Sequence, residues 1–132
     1  MKGLREWAKA YLRHRDLFER RISSLKESEH GFLIIRKDGT RCECLINESL
    51  AALTPLLSKG EVLLVTRNTR ENLSALIKEW RRLANHPKLK VIFANTALNE
   101  RWAINPRQHT RVAEEESLAR GLEALFLSVP EG

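Results

Sequence analysis

Polar and basic side chains follow two apolar segments that read as neighbouring parallel strands, and this pattern could hold an anion. The segment 62–66 continues into residues 67–70, and the segment 89–94 continues into Asn95 and Thr96. In open α/β sheets, ligands collect at the carboxyl ends of the strands, and the free N–H groups that open the next helix favour negative charge. The sequence therefore predicts an anion or nucleotide site, whose candidate residues are Arg67, Asn68, Thr69, Arg70, Asn95, Thr96, Arg101 and Arg107.

An ordinary structural role is the alternative for these residues. Asn and Thr at a junction of strand and helix commonly cap the helix or form the turn, and arginines there are often only solvated. Residues 67–70 contain no glycine, so the glycine-rich loop of a dinucleotide site or a P-loop is missing.

His109 is the candidate for a catalytic base. It lies in a polar stretch, residues 105–110, which we predict to be a loop between two elements. Loops carry functional residues more often than cores do, and a neutral imidazole can accept a proton at neutral pH. The alternative is a surface or capping histidine without a chemical role.

The first predicted helix carries a basic cluster that could lie along a phosphate backbone. We expect Arg13, Arg20 and Arg21 to contact nucleic acid, with affinity that falls as salt rises. Asp16 and Glu19 lie among these cations, so the alternative is a solvated helix face with charge pairs at helical spacing.

Cys42 and Cys44 are the two cysteines of the chain. Residues two apart on a strand point to the same face, and a disulfide between them would be strongly distorted. We predict reduced thiols packed in or near the core. A structural zinc site needs four ligands, and no second cysteine pair exists, so neither a metal nor a cofactor is predicted.

Composition indicates one soluble domain with an affinity for anions. The 132 residues carry 23 Lys and Arg against 17 Asp and Glu, a net charge of +6, which favours anionic partners. The sequence lacks a membrane-length apolar segment and a secretory signal, so we expect a cytoplasmic protein without a membrane partner. The many charged residues are typical of heat-adapted proteins, although the seven Asn residues weaken that interpretation.

Hydrophobic spacing predicts the elements that position these residues. Helices are predicted over 4–27, 69–84 and from about 112 or 114 to 128, and a short helix or irregular turn is predicted over 48–58. Strands are predicted over 32–36, 41–46, 62–66, 89–94 and 101–104. Asp38-Gly39 between the first two strands indicates a hairpin, and the order strand, helix, strand over 62–94 indicates a parallel crossover. We therefore predict a single α/β domain over residues 1–132, with a mixed sheet of four to five strands and helices on its faces.

This order of elements resembles the core of restriction-endonuclease-like proteins, at the level of fold analogy only. The resemblance implies an acidic residue on the second strand and an acidic-x-Lys pair on the third. Glu43 stands at the first of these places, but the predicted third strand begins Glu61-Val62-Leu63, without a lysine. With two Asp in the whole chain, a carboxylate cluster for Mg²⁺ is hard to assemble.

Three functional hypotheses follow. The first is a non-catalytic binding domain for an anionic partner, either nucleic acid or a phosphorylated ligand. The second is a homodimeric interaction or scaffold protein, because the stripe with Trp7 and Tyr11 is wide for one small sheet to cover. The third is an enzyme in which His109 acts on a phosphorylated substrate.

Overall fold

The computed structural model describes residues 3–112 and 115–132. The strands are β1 (Ile22–Ser28), β2 (Gly31–Arg36), β3 (Arg41–Ile46), β4 (Glu61–Arg67), β5 (Leu89–Asn95) and β6 (Glu100–Ile104). The helices are α1 (Leu4–Glu19), α2 (Leu50–Leu53), α3 (Arg70–Lys78), α4 (Trp80–Ala84), α5 (Pro106–Val112) and α6 (Glu115–Leu127). A 3-10 turn over Thr54–Leu56 follows α2. Within the described ranges, no helix is both long enough and apolar enough to cross a membrane.

The strands form one mixed sheet in the order β1-β2-β3-β4-β5-β6. The first three strands make an antiparallel meander, β3, β4 and β5 are parallel, and β6 returns antiparallel to β5. The α/β class, the antiparallel hairpin and the parallel pair were predicted correctly. The predicted number of strands was wrong, because the sheet has six strands and not four or five.

The additional strand comes from the second half of the predicted helix 4–27. Helix α1 ends at Glu19, and Arg20 adopts the left-handed conformation with φ 49°. One carboxylate oxygen of Asp16 accepts the N–H groups of Arg21 and Ile22, at 2.7 and 2.9 Å. These bonds satisfy donors that a longer helix would have used, so the chain turns and Ile22 begins β1. The helix prediction is therefore wrong beyond residue 19.

The predicted hairpin turn is present between β2 and β3. Gly39 has φ +88°, which a residue without a side chain adopts at no steric cost. The carboxylate of Asp38 accepts the backbone N–H of Thr40 at 2.9 Å. This turn fixes the register in which Phe32 lies opposite Cys44.

The sheet separates two apolar cores. On one face, side chains of α2, α3, α4 and α6 pack on the sheet, and buried members of this core include Leu50, Leu64, Leu76, Leu83, Phe93 and Leu122. The other face, which we call the α1 face, is covered by α1, and its core includes Leu4, Trp7, Ala8, Leu12, Cys44, Val65 and Ile92. Helix α1 packs on β3 and β4, so it covers the middle of its face.

The predicted helix 69–84 is divided in two. Glu79 leaves the helical conformation, with ψ 9°, and separates α3 from α4. The hydroxyl of Thr69 accepts the N–H of Asn72 at 3.2 Å, so Thr69 is the cap of α3.

Residues 106–112 form the helix α5, where the sequence had predicted a loop. Proline is well placed at the first position of a helix, because its missing N–H needs no partner there. The side-chain oxygen of Asn105 accepts the N–H of Gln108 at 3.2 Å and caps this helix. His109 therefore lies on a helix.

Candidate functional site

The carboxyl ends of β4 and β5 lie side by side, as the sequence predicted, and most of the predicted anion-site residues meet there. The guanidinium of Arg67 donates to the hydroxyl of Thr96 at 3.1 Å and pairs with Glu48 at 3.1 Å. Asn68 and Asn95 are buried at the same edge. We call this set of residues, 67–70 with 95 and 96, the strand-end edge.

The last residues of the chain lie across the strand-end edge. The side-chain amide of Asn68 donates to the carbonyl of Val129 at 2.8 Å, and that of Asn95 donates to the carbonyl of Pro130 at 3.2 Å. The N–H of Gly132 donates to the backbone oxygen of Asn68 at 3.0 Å. The polar groups of both asparagines are therefore engaged within the chain.

The start of α3 is also engaged. The backbone N–H of Arg70 donates to the carboxylate of Glu131 at 2.8 Å, so a negative group of the same chain lies where an anion would bind. The Arg70 guanidinium bonds both carboxylate oxygens of Glu123 at 2.6 Å and lies 4.5 Å above the ring of Phe126. The hydrogen bond with Glu123 raises the pKa of Arg70.

His109 and Arg107 lie on α5, on the side of the sheet opposite to α1. The imidazole of His109 packs edge-on against Trp80, with 5.9 Å between the ring centroids. The indole N–H of Trp80 donates to the hydroxyl of Thr110 at 2.8 Å. Arg107 is exposed. The structure does not bring these two residues to the strand-end edge, because the helix α5 holds them against α4.

Arg101 points instead into a groove on the α1 face, between α1 and β6. Trp102 and Ile104 are buried in the opposite core, so the alternation of side chains along β6 places Arg101 and Ala103 on the α1 face. The groove has a volume of about 1050 Å³ and is lined by Trp7, Ala10, Tyr11, His14, Arg15, Lys90, Thr96, Asn99, Arg101, Trp102 and Ala103. We call it the α1–β6 groove.

Tyr11 stands at the centre of the α1–β6 groove, and cations surround it. Its ring is stacked on Trp7 with 5.4 Å between centroids, and the Arg101 guanidinium lies 4.6 Å from the ring centroid. The guanidinium of Arg15 donates to the phenol oxygen at 3.0 Å. The indole N–H of Trp7 donates to the side-chain oxygen of Asn99 at 2.8 Å, which anchors the stack to the turn before β6.

The cations of the groove act on the pKa of Tyr11. Burial raises the pKa of the phenol, but the charges of Lys90 and Arg15 and hydrogen bonds from Arg15 and Arg101 outweigh burial and lower that pKa. Within the described residues, the lining of the α1–β6 groove includes neither Asp nor Glu. Glu19 pairs with Arg15 at 3.1 Å, but both side chains are over 40% exposed, so this pair neutralises the groove weakly.

A smaller cleft of about 470 Å³ continues the groove beneath the second half of α1. Arg21, Lys88 and Lys90 contribute cations to its lining. Its lining also contains three carboxylates: Asp16, which accepts backbone N–H groups of the turn after α1, and Glu19 and Glu61, which pair with Arg15 and Arg36. The hydrogen bond from Arg36 lowers the pKa of Glu61.

The three arginines predicted to contact nucleic acid lie in two places. Arg13 is exposed on α1. It follows Tyr11 by two residues, a rotation of about 200° around the helix, so it lies on the side away from Tyr11. Arg20 and Arg21 are exposed in the turn after α1, and Arg21 lies at the continuation of the groove.

Sequence reasoning missed Tyr11, Trp7 and Lys90 as groove residues. The signal for the two aromatic residues was available, because Trp7, Tyr11, His14 and Phe18 recur at steps of three and four. From the sequence, Trp7 and Tyr11 belong to the apolar stripe of the first helix. In the structure, both line the groove.

The residues implied by the nuclease resemblance do not assemble. Because β1 precedes the predicted strands, the second strand is β2, which has no acidic residue, and the third is β3. On β3, Glu43 is followed by Cys44 and Leu45, without the lysine of the pattern. No group of three His, Cys, Asp or Glu residues in the described part of the chain could hold a metal ion.

The two cysteines are free and buried, as predicted. Burial raises the pKa of both thiols to about 12, which keeps them protonated and unreactive.

Comparisons of the chain with protein-family models, with curated proteins and with solved structures find no match. The functional argument therefore depends on the groove itself.

Proposed function

We propose that this protein is a non-catalytic binding domain for an anionic partner, nucleic acid, and that it holds the phosphates of that partner along the α1–β6 groove. The observation that carries the proposal is the set of Arg15, Lys90 and Arg101 around Tyr11, in a lining of described residues without a carboxylate. Clustered cations in a concave site attract and concentrate negative ligands.

The strand-end edge supports this proposal less well than the groove does. Arg67 pairs with Glu48, and Arg70 pairs with Glu123. An external phosphate would have to displace these carboxylates, and the Glu131 carboxylate at the start of α3. In the groove, Arg15 also pairs with Glu19, but Lys90 and Arg101 form no ion pair within the described residues, so a phosphate could reach these two cations at a lower desolvation cost.

Charge and extent both suit a nucleic acid. The chain carries a net charge of +6, and the smaller cleft extends the groove with Arg21 and Lys88. Neutralising two or three phosphates of a single strand gives a slope of about −1.4 to −2.1 when log affinity is plotted against log salt.

Fluorescence anisotropy with a labelled oligonucleotide of about 15 nucleotides tests the proposal, over about 50 to 200 mM salt. We expect Arg101→Gln and Lys90→Gln each to weaken binding and to reduce the salt slope by about 0.7. Arg82→Gln is the matched control, because Arg82 is exposed on α4, and α4 packs in the core on the other face of the sheet. An affinity that does not change with salt, or an equal loss of affinity in the control variant, would contradict the proposal.

A phosphorylated small ligand would share the same chemistry. Competition by a nucleoside triphosphate distinguishes the two sources, because a small ligand would displace the oligonucleotide at concentrations well below those at which inorganic phosphate does. If nucleic acid is the partner, the nucleoside triphosphate and inorganic phosphate should both compete weakly and to a similar extent.

A further inference from the structure

One aromatic ring of α1 is left in solvent beside the α1–β6 groove. Phe18 is 84% exposed, whereas Phe32, Phe93 and Phe126 are at most 4% exposed. Burial of such a ring is a large part of what stabilises a core, and the Phe18 ring contributes to neither core of this domain. The imidazole of His14 meets it edge-on, with 6.3 Å between the ring centroids.

Phe18 belongs to the row of α1 side chains that faces the groove. It follows His14 by four residues and Tyr11 by seven, and residues at these spacings lie on one side of a helix. His14 and Tyr11 both line the groove. Phe18 therefore extends the groove-facing row beyond the end of the cation cluster.

Tyr11 itself cannot offer a ring face to a ligand. Trp7 is stacked on it, and the Arg101 guanidinium lies over its ring. Tyr11 thus positions cations, and Phe18 is the aromatic ring whose surface is free. Seven residues of helix span about 10 Å, which is about three steps of a nucleic-acid strand at 3.4 Å each.

We infer that the nucleic acid held by the groove is single-stranded, and that Phe18 is the platform on which one of its bases stacks. This inference rests on the proposed function. Phosphates contact Arg15, Lys90 and Arg101, while a base a few nucleotides away covers the ring of Phe18. Only an unpaired strand can turn a base face towards a protein ring in this way, and such stacking does not depend on the base sequence.

Leu17 provides a matched control. It is also a large apolar residue of α1 and is 68% exposed. It lies about 100° around the helix from Phe18, outside the row that faces the groove. If affinity depended only on exposed apolar surface, replacing either residue by alanine would lower it. If affinity depends on base stacking, only the replacement of Phe18 lowers it.

The experiment measures anisotropy with three probes of equal strand length: a single-stranded oligonucleotide, its duplex, which carries twice the phosphates, and a strand in which every base is removed. We expect the wild type to bind the single strand more tightly than the other two. Phe18→Ala should lower the affinity for the single strand by about 5- to 150-fold and leave the affinity for the baseless strand unchanged. Phe18→Trp should retain the affinity, and Leu17→Ala should match the wild type.

The outcomes separate this inference from the function on which it rests. If the wild type binds none of the probes, the proposed function fails and the inference fails with it. If it binds all three in a salt-dependent manner but Phe18→Ala and Leu17→Ala behave alike, only the inference is overturned. Light scattering that shows a dimer dissociated by Phe18→Ala would also overturn it, because a second copy of the chain would then cover this ring.

Discussion

Replacement of Asn68 by alanine tests whether this residue is a structural clamp or a ligand contact. Asn68 is fully buried. Its amide nitrogen donates to the carbonyls of Val129 and Phe126, at 2.8 and 3.2 Å, and its side-chain oxygen accepts the indole N–H of Trp102 at 2.7 Å. The variant removes the partner of a buried donor and of two carbonyls at once.

The expected loss follows from these bonds. A buried polar group without a partner costs about 1–3 kcal/mol. The Trp102 N–H and the Val129 carbonyl both lose the partner that Asn68 provides, so we expect the free energy of unfolding to fall by about 2–5 kcal/mol. This is a large part of the stability of a domain of this size, which is about 5–15 kcal/mol.

Urea unfolding followed by tryptophan fluorescence and by circular dichroism measures this loss. Asn85→Ala is the control, because Asn85 is exposed at the end of α4, and such surface changes stay within about 0.5 kcal/mol. A decrease below about 1 kcal/mol for Asn68→Ala would refute the clamp role. Asn68 would then return as a candidate for anion binding.

Two further predictions concern ionisable groups. The hydrogen bond from Arg36 lowers the folded-state pKa of Glu61, so the contribution of Glu61 to stability is present above the pKa of an unfolded Glu and is lost as pH falls through the lower folded value. Glu61→Gln should therefore flatten the acid limb of a plot of unfolding free energy against pH. An acid limb that is the same in the variant and the wild type would contradict this prediction. Because burial raises the pKa of Cys42 and Cys44 to about 12, we expect both thiols to resist alkylation near neutral pH until urea unfolds the chain, and rapid labelling of the folded protein would show that they are accessible.

The sequence predicted those elements whose signals are local. Asp38-Gly39 indicated a turn that only a residue free to adopt positive φ makes easily, and the apolar segments 62–66 and 89–94 are typical of strands buried on both faces. The end of α1 was not predictable in this way. Arg20 takes the left-handed conformation without being glycine, and the Asp16 carboxylate that stabilises this turn has no conspicuous sequence signature.

The sequence predicted where the strand-end edge lies, but not which groups its polar side chains contact. Two parallel strands do end there side by side. Partners of its polar groups, however, include Glu123 and residues 129–131, which lie 35 to 61 positions further along the chain. Spacing within a short segment carries no information about such distant partners, so the same residues are compatible with an open anion site and with a closed structural edge.

The α1–β6 groove follows from the number of helices on each face of the sheet. Six strands about 4.8 Å apart make a sheet roughly 24 Å wide, and a helix with its side chains is about 10 Å across. Several helices cover one face, but α1 alone packs on the middle of the other, against β3 and β4. Ile92 of β5 is still buried beneath α1, but the side of the face towards β6 lies beyond the helix, and Lys90 and Arg101 line the groove there. Any ligand that binds there meets the side of α1 that carries Tyr11, His14 and Arg15.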